Sequence, residues 1–320
     1  MKIKNILILG GTGFVGRSVC ERLVRRSGGS GGRLIVPTRR RLSGQDVQSL
    51  PTLELVQANV HDERELSGWV AQADAVVNLV AILHGTPAEF EHVHVRLPQK
   101  LVQACTAAGG KRLVHVSALG VGAHAPSNYL RSKTAGEAVL RAATDLPCTV
   151  LRPSVIFGAE DRFLNLFASL QAVAPVLPLA GSEARFQPVW VEDVAQAVVV
   201  ALDSPQSIGQ TIECAGPKVY TLSELVRLAG RWSGNERPQI ALPRALGRLQ
   251  ALAMELLPGE PLMSRDNLDS MAQPNVASGQ FPGLTTLGIT PTALEAIASV
   301  YLGDNQARAR FDRWRRFRRG

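Results

Sequence analysis

The stretch NILILGGTGFVG, residues 5–16, decides how the rest of the chain is read. Ile6, Leu7, Ile8 and Leu9 form an apolar run of strand length that breaks at Gly10, Gly11 and Gly13. Beyond it Val15, Val19 and Leu23 recur at helical spacing through residue 26. Strand, glycine turn and helix in this order predict a dinucleotide-binding segment. Gly10 permits the tight turn, Gly13 lets a pyrophosphate approach the backbone, and Gly16 lets helix pack closely on strand. The helix N-terminus offers unpaired N–H groups and a partial positive charge to the phosphates. Thr12, Phe14 and Val15 complete the same cradle.

Outward from this segment, strands and helices alternate. A glycine- and serine-rich loop at 27–32 leads to a strand expected over 33–37, which ends at Thr38, Arg39, Arg40 and Arg41. A dinucleotide fold usually carries an acid here for the ribose 2′-hydroxyl of NAD. Guanidinium groups instead pair with a 2′-phosphate that a carboxylate would repel. The expectation is NADP(H) in preference to NAD(H), held by Arg39 and Arg40. Strands over 53–57 and 75–80 lead to Asn59-Val60 and to Val80-Ala81, the positions that line the adenine and nicotinamide-ribose sides of such a cofactor. A helix over 90–108 contains Pro98, which kinks it or marks its start. The strand over 112–116 ends at Ser117. This alternation predicts a doubly wound parallel α/β sheet with right-handed crossovers.

Ser117 precedes a second constellation. Tyr129 and Lys133, four apart in YLRSK, share one face of a helix expected to run to residue 140. An ammonium beside a phenol favours the phenolate, drawing the tyrosine towards general acid–base work near neutral pH. Ser117, at the end of the neighbouring strand, is placed to hydrogen-bond a substrate oxygen. Ser117, Tyr129 and Lys133 are therefore the candidate catalytic residues.

With these motifs in hand, the sequence resembles an extended short-chain dehydrogenase/reductase: GGTGFVG at 10–16, HVSALG at 115–120, YLRSK at 129–133, LRPSVIFG at 151–158 and PVWVEDVA at 188–195. More narrowly it is similar to the branch containing the nucleotide-binding accessory subunit of respiratory complex I and its bacterial relatives. That likeness rests on FEHVHVRLPQ at 90–99, IFGAEDRFLNLFAS at 156–169, FQPVWVEDV at 186–194 and PGLTTLGITPTALE at 282–295. The resemblance implies a Rossmann-type sheet and a smaller C-terminal α/β substrate lobe. It implies Gly10, Gly13 and Gly16 at the pyrophosphate, Tyr129 and Lys133 around the nicotinamide ribose, and Pro153 and Ser154 beside the nicotinamide. Extended members usually have an asparagine where His94 stands, supporting a proton relay near the lysine; a helix histidine half-buried without that role is the other reading. Three functions follow from the resemblance: an NAD(P)-dependent oxidoreductase linked to respiratory-chain or quinone metabolism, a non-catalytic NADPH-binding subunit of a respiratory or ubiquinone-biosynthesis complex, or a nucleotide-sugar epimerase/dehydratase-like enzyme.

The expected division is a dinucleotide-binding domain over 1–155, completed by 187–215, a smaller lobe over 156–186 and 216–305, and a tail over 306–320. In the lobe, Glu160, Asp161 and Arg162 open a helix lined by Phe163, Leu166 and Phe167, and read as a salt-bridged loop or a cleft-facing trio. Thr221 and Glu224 have the spacing of a capping box. Thr290-Pro291 reads as the start of the last helix. Residues 242–257 form a leucine-rich helix, either a core element or a face for quinone, lipid or a membrane partner. The net charge of +8 is concentrated in ARARFDRWRRFRRG at 307–320, where Phe311, Trp314 and Phe317 recur every third residue among seven arginines. That pattern suits an anionic membrane surface, an acidic protein groove or a solvated tail. The near-neutral body offers no face for nucleic acid. Four separated cysteines, Cys20, Cys105, Cys148 and Cys214, suggest buried thiols in a reducing compartment, with no metal-ligand spacing. The first apolar run is too short for a signal peptide and no run reaches membrane-span length, so a cytoplasmic protein, peripheral on the inner membrane at most, is expected.

Overall fold

The computed structural model describes residues 3–29, 31–40, 44–256, 259 and 261–304. Arg41, Leu257 and the tail aromatics Phe311, Trp314 and Phe317 lie outside the described residues. In chain order the first elements are β1 (Ile6–Leu9), α1 (Phe14–Arg26), β2 (Leu34–Thr38), α2 (Gln45–Gln48), β3 (Leu53–Gln57), α3 (Glu63–Gln72) and β4 (Ala75–Asn78). Then come α4 (Pro87–Glu91), a π-helical stretch (His92–Arg96), α5 (Leu97–Ala107), β5 (Arg112–Val116), α6 (Asn128–Ala142) and β6 (Cys148–Pro153). Next are β7 (Ile156–Phe157), α7 (Leu164–Val173), β8 (Leu177–Ala180), β9 (Arg185–Phe186), β10 (Val189–Trp190), α8 (Val191–Asp203) and β11 (Thr211–Cys214). The last are β12 (Tyr220–Thr221), α9 (Leu222–Trp232), β13 (Gln239–Leu242), α10 (Arg244–Glu255), α11 (Arg265–Ser270) and α12 (Leu294–Asp304).

The first compact unit comprises the chain through Pro153, Val191–Cys214 and Ala277–Thr290. Its sheet has seven strands in the order β3-β2-β1-β4-β5-β6-β11, every pair parallel. This is a doubly wound sheet whose order reverses between β1 and β4. Parallel strands sandwiched between helices bury both faces, and every residue of β1, β2, β4, β5 and β6 is buried. On one face Leu7, Leu9, Ile35, Val76 and Leu113 pack with Leu66 and Val70 of α3 and Leu97 and Leu101 of α5. Each such buried leucine or isoleucine contributes about 1.5–3 kcal/mol, so Leu→Ala there is a core-breaking change. On the other, α1 is tied to α8 by Arg22 to Glu192 at 2.7 Å and Arg26 to Asp203 at 3.0 Å. The four cysteines are buried free thiols, and burial lifts those of Cys20, Cys105 and Cys148 to about 12.

The helix expected over 90–108 starts earlier, at Pro87, where Thr86 and Glu89 close a capping box. Pro98 lies inside a continuous helical run, directly after the π stretch, the wider turn at which the hydrogen-bond ladder adjusts around its missing N–H.

The second unit comprises Ser154–Trp190, Ala215–Val276 and the stretch beginning at Pro291. Three two-stranded sheets (β7 with β10, β9 with β12, β8 with β13) surround a core of Phe157, Leu179, Phe186, Leu225, Leu294 and Leu302. The Thr221–Glu224 capping box is formed at α9. Two expectations are corrected. The last helix begins at Leu294 rather than beside Pro291. Asp161 makes no salt bridge among the described residues. It is buried, accepts the N–H groups of Gly158, Phe163, Leu164 and Asn165, and takes the Tyr301 hydroxyl at 2.6 Å, so it closes the N-terminus of α7. Among the described residues, no helix is long and apolar enough to cross a membrane.

Candidate functional site

The site lies at the carboxyl edge of the first unit's sheet. Gly10 leaves β1 at φ +81°, a conformation costly for other residues, and a Cβ there would stand 3.1 Å from the Leu79 carbonyl carbon beyond β4. The glycine turn is thus pressed into the point where strand order reverses. Gly16 is forced by contact: a Cβ would lie 2.2 Å from the Gly10 carbonyl oxygen. Thr12, Phe14 and Val15 are half-buried around the exposed Gly13. Helix α1 begins at Gly13 with no side-chain cap and no acid in its first turn, whereas α3, α6 and α9 are closed by Asp62, Ser127 and Thr221. Its N-terminal N–H groups and dipole therefore face an open edge, which suits a pyrophosphate.

Beyond β2, Arg39 and Arg40 are exposed, and the Thr38 hydroxyl donates to the Arg40 carbonyl at 3.0 Å. The Ala58 amide donates to Thr38 at 3.1 Å, bringing the ends of β2 and β3 together. There Asn59 is exposed, its N–H on Glu65 and its Oδ1 accepting the His61 amide, while Val60 is half-buried. Sequence reasoning stopped one residue short of His61. Its ring stacks on His92 at 4.1 Å, and its Nδ1 is buried with no partner among the described residues. Burial, then the charges of His92, Lys100 and Arg39, depress its pKa to about 4. Beyond β4, the Val80 amide donates to Asn78 Oδ1 at 3.2 Å and Ala81 is exposed.

Ser117 follows β5, is 4% exposed, and its Oγ has no hydrogen-bond partner among the described residues. A buried hydroxyl left unpaired is costly and marks where a ligand atom fits. Lys133 on α6 is buried and donates to the carbonyl of Val116, the residue before Ser117, at 3.2 Å. One turn on, Glu137 takes both arms of Arg152 on β6 at 2.9 and 2.6 Å, so two successive inner turns of α6 are pinned to adjacent strands. Burial draws Lys133 down to about 8, opposed by Glu137. The Tyr129 ring is framed edge-on by Phe90 at 6.1 Å and His94 at 5.5 Å. Phe90 and His94, four apart on one helix, were the sequence signal for this frame. In the free protein burial dominates the phenol and pushes Tyr129 up to about 12, while the Lys133 ammonium donates to the Val116 carbonyl.

His94 is fully buried rather than half-buried. Its Nε2 accepts the Ile82 amide at 3.2 Å, which leaves Nδ1 to donate to Ser132 Oγ at 2.8 Å; Ser132 in turn donates to the Tyr129 carbonyl at 2.8 Å. Burial first, then Lys133 and His115, lowers its pKa to about 2, so it is a neutral strut from the β4 loop to the backbone of Tyr129. Pro153 accepts the Leu119 amide at 2.9 Å within the first unit. Ser154 opens the second unit, where its hydroxyl is engaged by Asn275 Oδ1 at 2.7 Å.

A seven-stranded doubly wound parallel sheet with an uncapped, glycine-led helix at the end of β1 is the frame of a dinucleotide-binding fold. Residues 6–215 match the NAD dependent epimerase/dehydratase family, and the chain belongs to that family, among the extended short-chain dehydrogenases/reductases. It is 32% identical over 299 residues to the mitochondrial NADH dehydrogenase (ubiquinone) 1 alpha subcomplex subunit 9 of Mus musculus, spanning 90% of this chain and 77% of that one. It is 31% identical over 240 residues to a ceramide reductase of Caulobacter vibrioides, spanning 74% and 73%. The dTDP-glucose 4,6-dehydratase of Streptomyces venezuelae, solved with NAD bound, superposes with a TM-score of 0.70 over 93% of this chain and 95% of its own, at 21% identity, a likeness of fold.

Proposed function

We propose that this protein binds NADP(H) at the sheet edge and acts as an oxidoreductase on a carbonyl or its alcohol. The observation that carries the reading is the buried Ser117 hydroxyl, without a hydrogen-bond partner among the described residues and next in sequence to the carbonyl that holds Lys133. The nicotinamide, when bound, supplies the hydride to the carbonyl carbon or takes it back from the alcohol. Ser117 Oγ donates a hydrogen bond to the substrate oxygen and orients it. Tyr129, kept protonated by burial, delivers its proton to that oxygen in the reducing direction. The Lys133 charge stabilises the phenolate left behind, and the Glu137–Arg152 pair keeps α6 in register with β5 and β6. Arg39 and Arg40 supply the charge for a 2′-phosphate.

A second reading, a nucleotide-binding accessory subunit of a respiratory-chain or quinone-metabolism assembly, is supported by the likeness to the mouse subunit across 90% of the chain. Both readings include cofactor binding, and they part on turnover. The test follows NADPH oxidation against a panel of carbonyls and quinones, with Tyr129→Phe as the control. The expected result is turnover that falls about 10²–10⁴-fold in the variant while NADPH affinity is kept. Tight NADPH binding with no turnover by the unsubstituted protein would decide for the accessory subunit.

A further inference from the structure

Helix α10 is built inside out. Its buried residues are small ones, Gly247 and Ala251, with Gly247 set against Ala180 of β8. Its bulk points to solvent: Leu246 is 52% exposed, Leu249 62%, Leu252 36% and Leu256, the helical C-cap residue, 78%. At about 100° per residue these four leucines fall within an arc of about 120° that contains no charged residue. Ile240 on β13 before it and Leu262 after it are exposed as well. Arg244 and Arg248 stand at the border, reaching Asp269 only at 3.4 Å.

We propose that this face is seated on an anionic lipid surface. The stripe is aliphatic throughout, without the aromatic anchors and hydrogen-bonding groups that enrich protein interfaces, and it matches the apolar face of an interfacial helix. Twelve residues, about 18 Å of helix, are too short to cross a bilayer, so the helix lies in the surface plane. An apolar contact of this size anchors reversibly, and stable attachment takes a second, electrostatic signal. The chain carries one: after α12 of the same unit, residues 307–320 hold seven arginines against one aspartate. Arginine attraction draws the protein to a negatively charged leaflet, and the leucines of α10 enter it. This inference stands apart from the cofactor reading.

The test is co-sedimentation of the full chain with vesicles of phosphatidylcholine alone and of phosphatidylcholine with phosphatidylglycerol. The variant pairs Leu249→Glu with Leu256→Glu, both at exposed positions; Leu249→Ser with Leu256→Ser is the milder alternative if the first melts early. The protein is expected to pellet with the anionic vesicles, less so in raised salt. The leucine variants should partition at least about tenfold more weakly, with melting temperature and NADPH affinity unchanged. Leucine variants that pellet as well as the parent would overturn the proposal, leaving the arginines as the whole attachment. A parent chain that stays in the supernatant would overturn it too. Should that chain sediment as a dimer that the leucine variants split, the face belongs to a second copy instead.

Discussion

The carboxyl edge of the first unit's sheet and the outer face of α10 leave opposite kinds of surface unmatched. At the sheet edge the apolar packing is complete, with β1, β4 and β5 fully buried, and what is left over is polar: the Ser117 hydroxyl, His61 Nδ1 and the uncapped start of α1. On α10 the left-over surface is aliphatic. Unmatched polar atoms on a rigid scaffold suit a ligand whose atoms must be fixed in place. Unmatched leucines without directional groups suit a partner that only has to exclude water.

Three changes probe that contrast, taken from the largest effect downwards. Gly16→Val drives a side chain into the Gly10 carbonyl, 2.2 Å from where its Cβ would sit. It is expected to cost about 3 kcal/mol or more of stability and to abolish NADPH binding, read by chemical denaturation and cofactor fluorescence. A variant that binds NADPH normally would refute the glycine cradle.

Acidification should weaken the same edge. Burial depresses His94 to about 2 and His115 to about 3, so each is neutral when folded, while an unfolded histidine takes up a proton below about 6.5. Their contribution is complete above that pH and is lost as pH falls: about 2 kcal/mol each between pH 7 and 5. Urea titrations at the two pH values measure the loss, and His94→Asn should flatten the dependence by about one histidine's share. An unchanged slope in that variant would mean that His94 is protonated in the fold.

The smallest effect is expected away from the edge. Thr221→Ala, which opens the capping box of α9 in the second unit, should lower stability by about 1 kcal/mol. Cofactor affinity should stay the same. A loss of NADPH binding there would show that the site depends on the second unit's helix cap.

The sheet was legible because parallel strands between helices read as bare apolar runs, and because Gly10 and Gly16 have geometric duties nothing else performs. The positions of Ser117 after a strand and of Tyr129 and Lys133 on one helix were legible as pattern and spacing. Their electrostatics were not, since a four-residue interval says nothing of the Val116 carbonyl that holds Lys133 or of the desolvation that raises Tyr129. Asp161 was misread because a capping carboxylate and a salt-bridged one look alike until the N–H donors are placed. The leucines of α10 were ambiguous for a similar reason: periodicity defines a stripe but not its outward direction. That depends on where the helix packs, with Gly247 set against Ala180 of β8.

The central claim, that the first unit's sheet edge is an NADP(H) site, is tested most directly by titrating the protein with NADPH and with NADH. Arg39→Ala with Arg40→Ala is measured beside it. NADPH should bind at least about tenfold tighter than NADH, and the double variant should lose that margin through weaker NADPH binding alone, since a charged contact to the 2′-phosphate is worth about 1.5–3 kcal/mol. Equal affinities in the parent chain, or no binding of either nucleotide, would contradict the account.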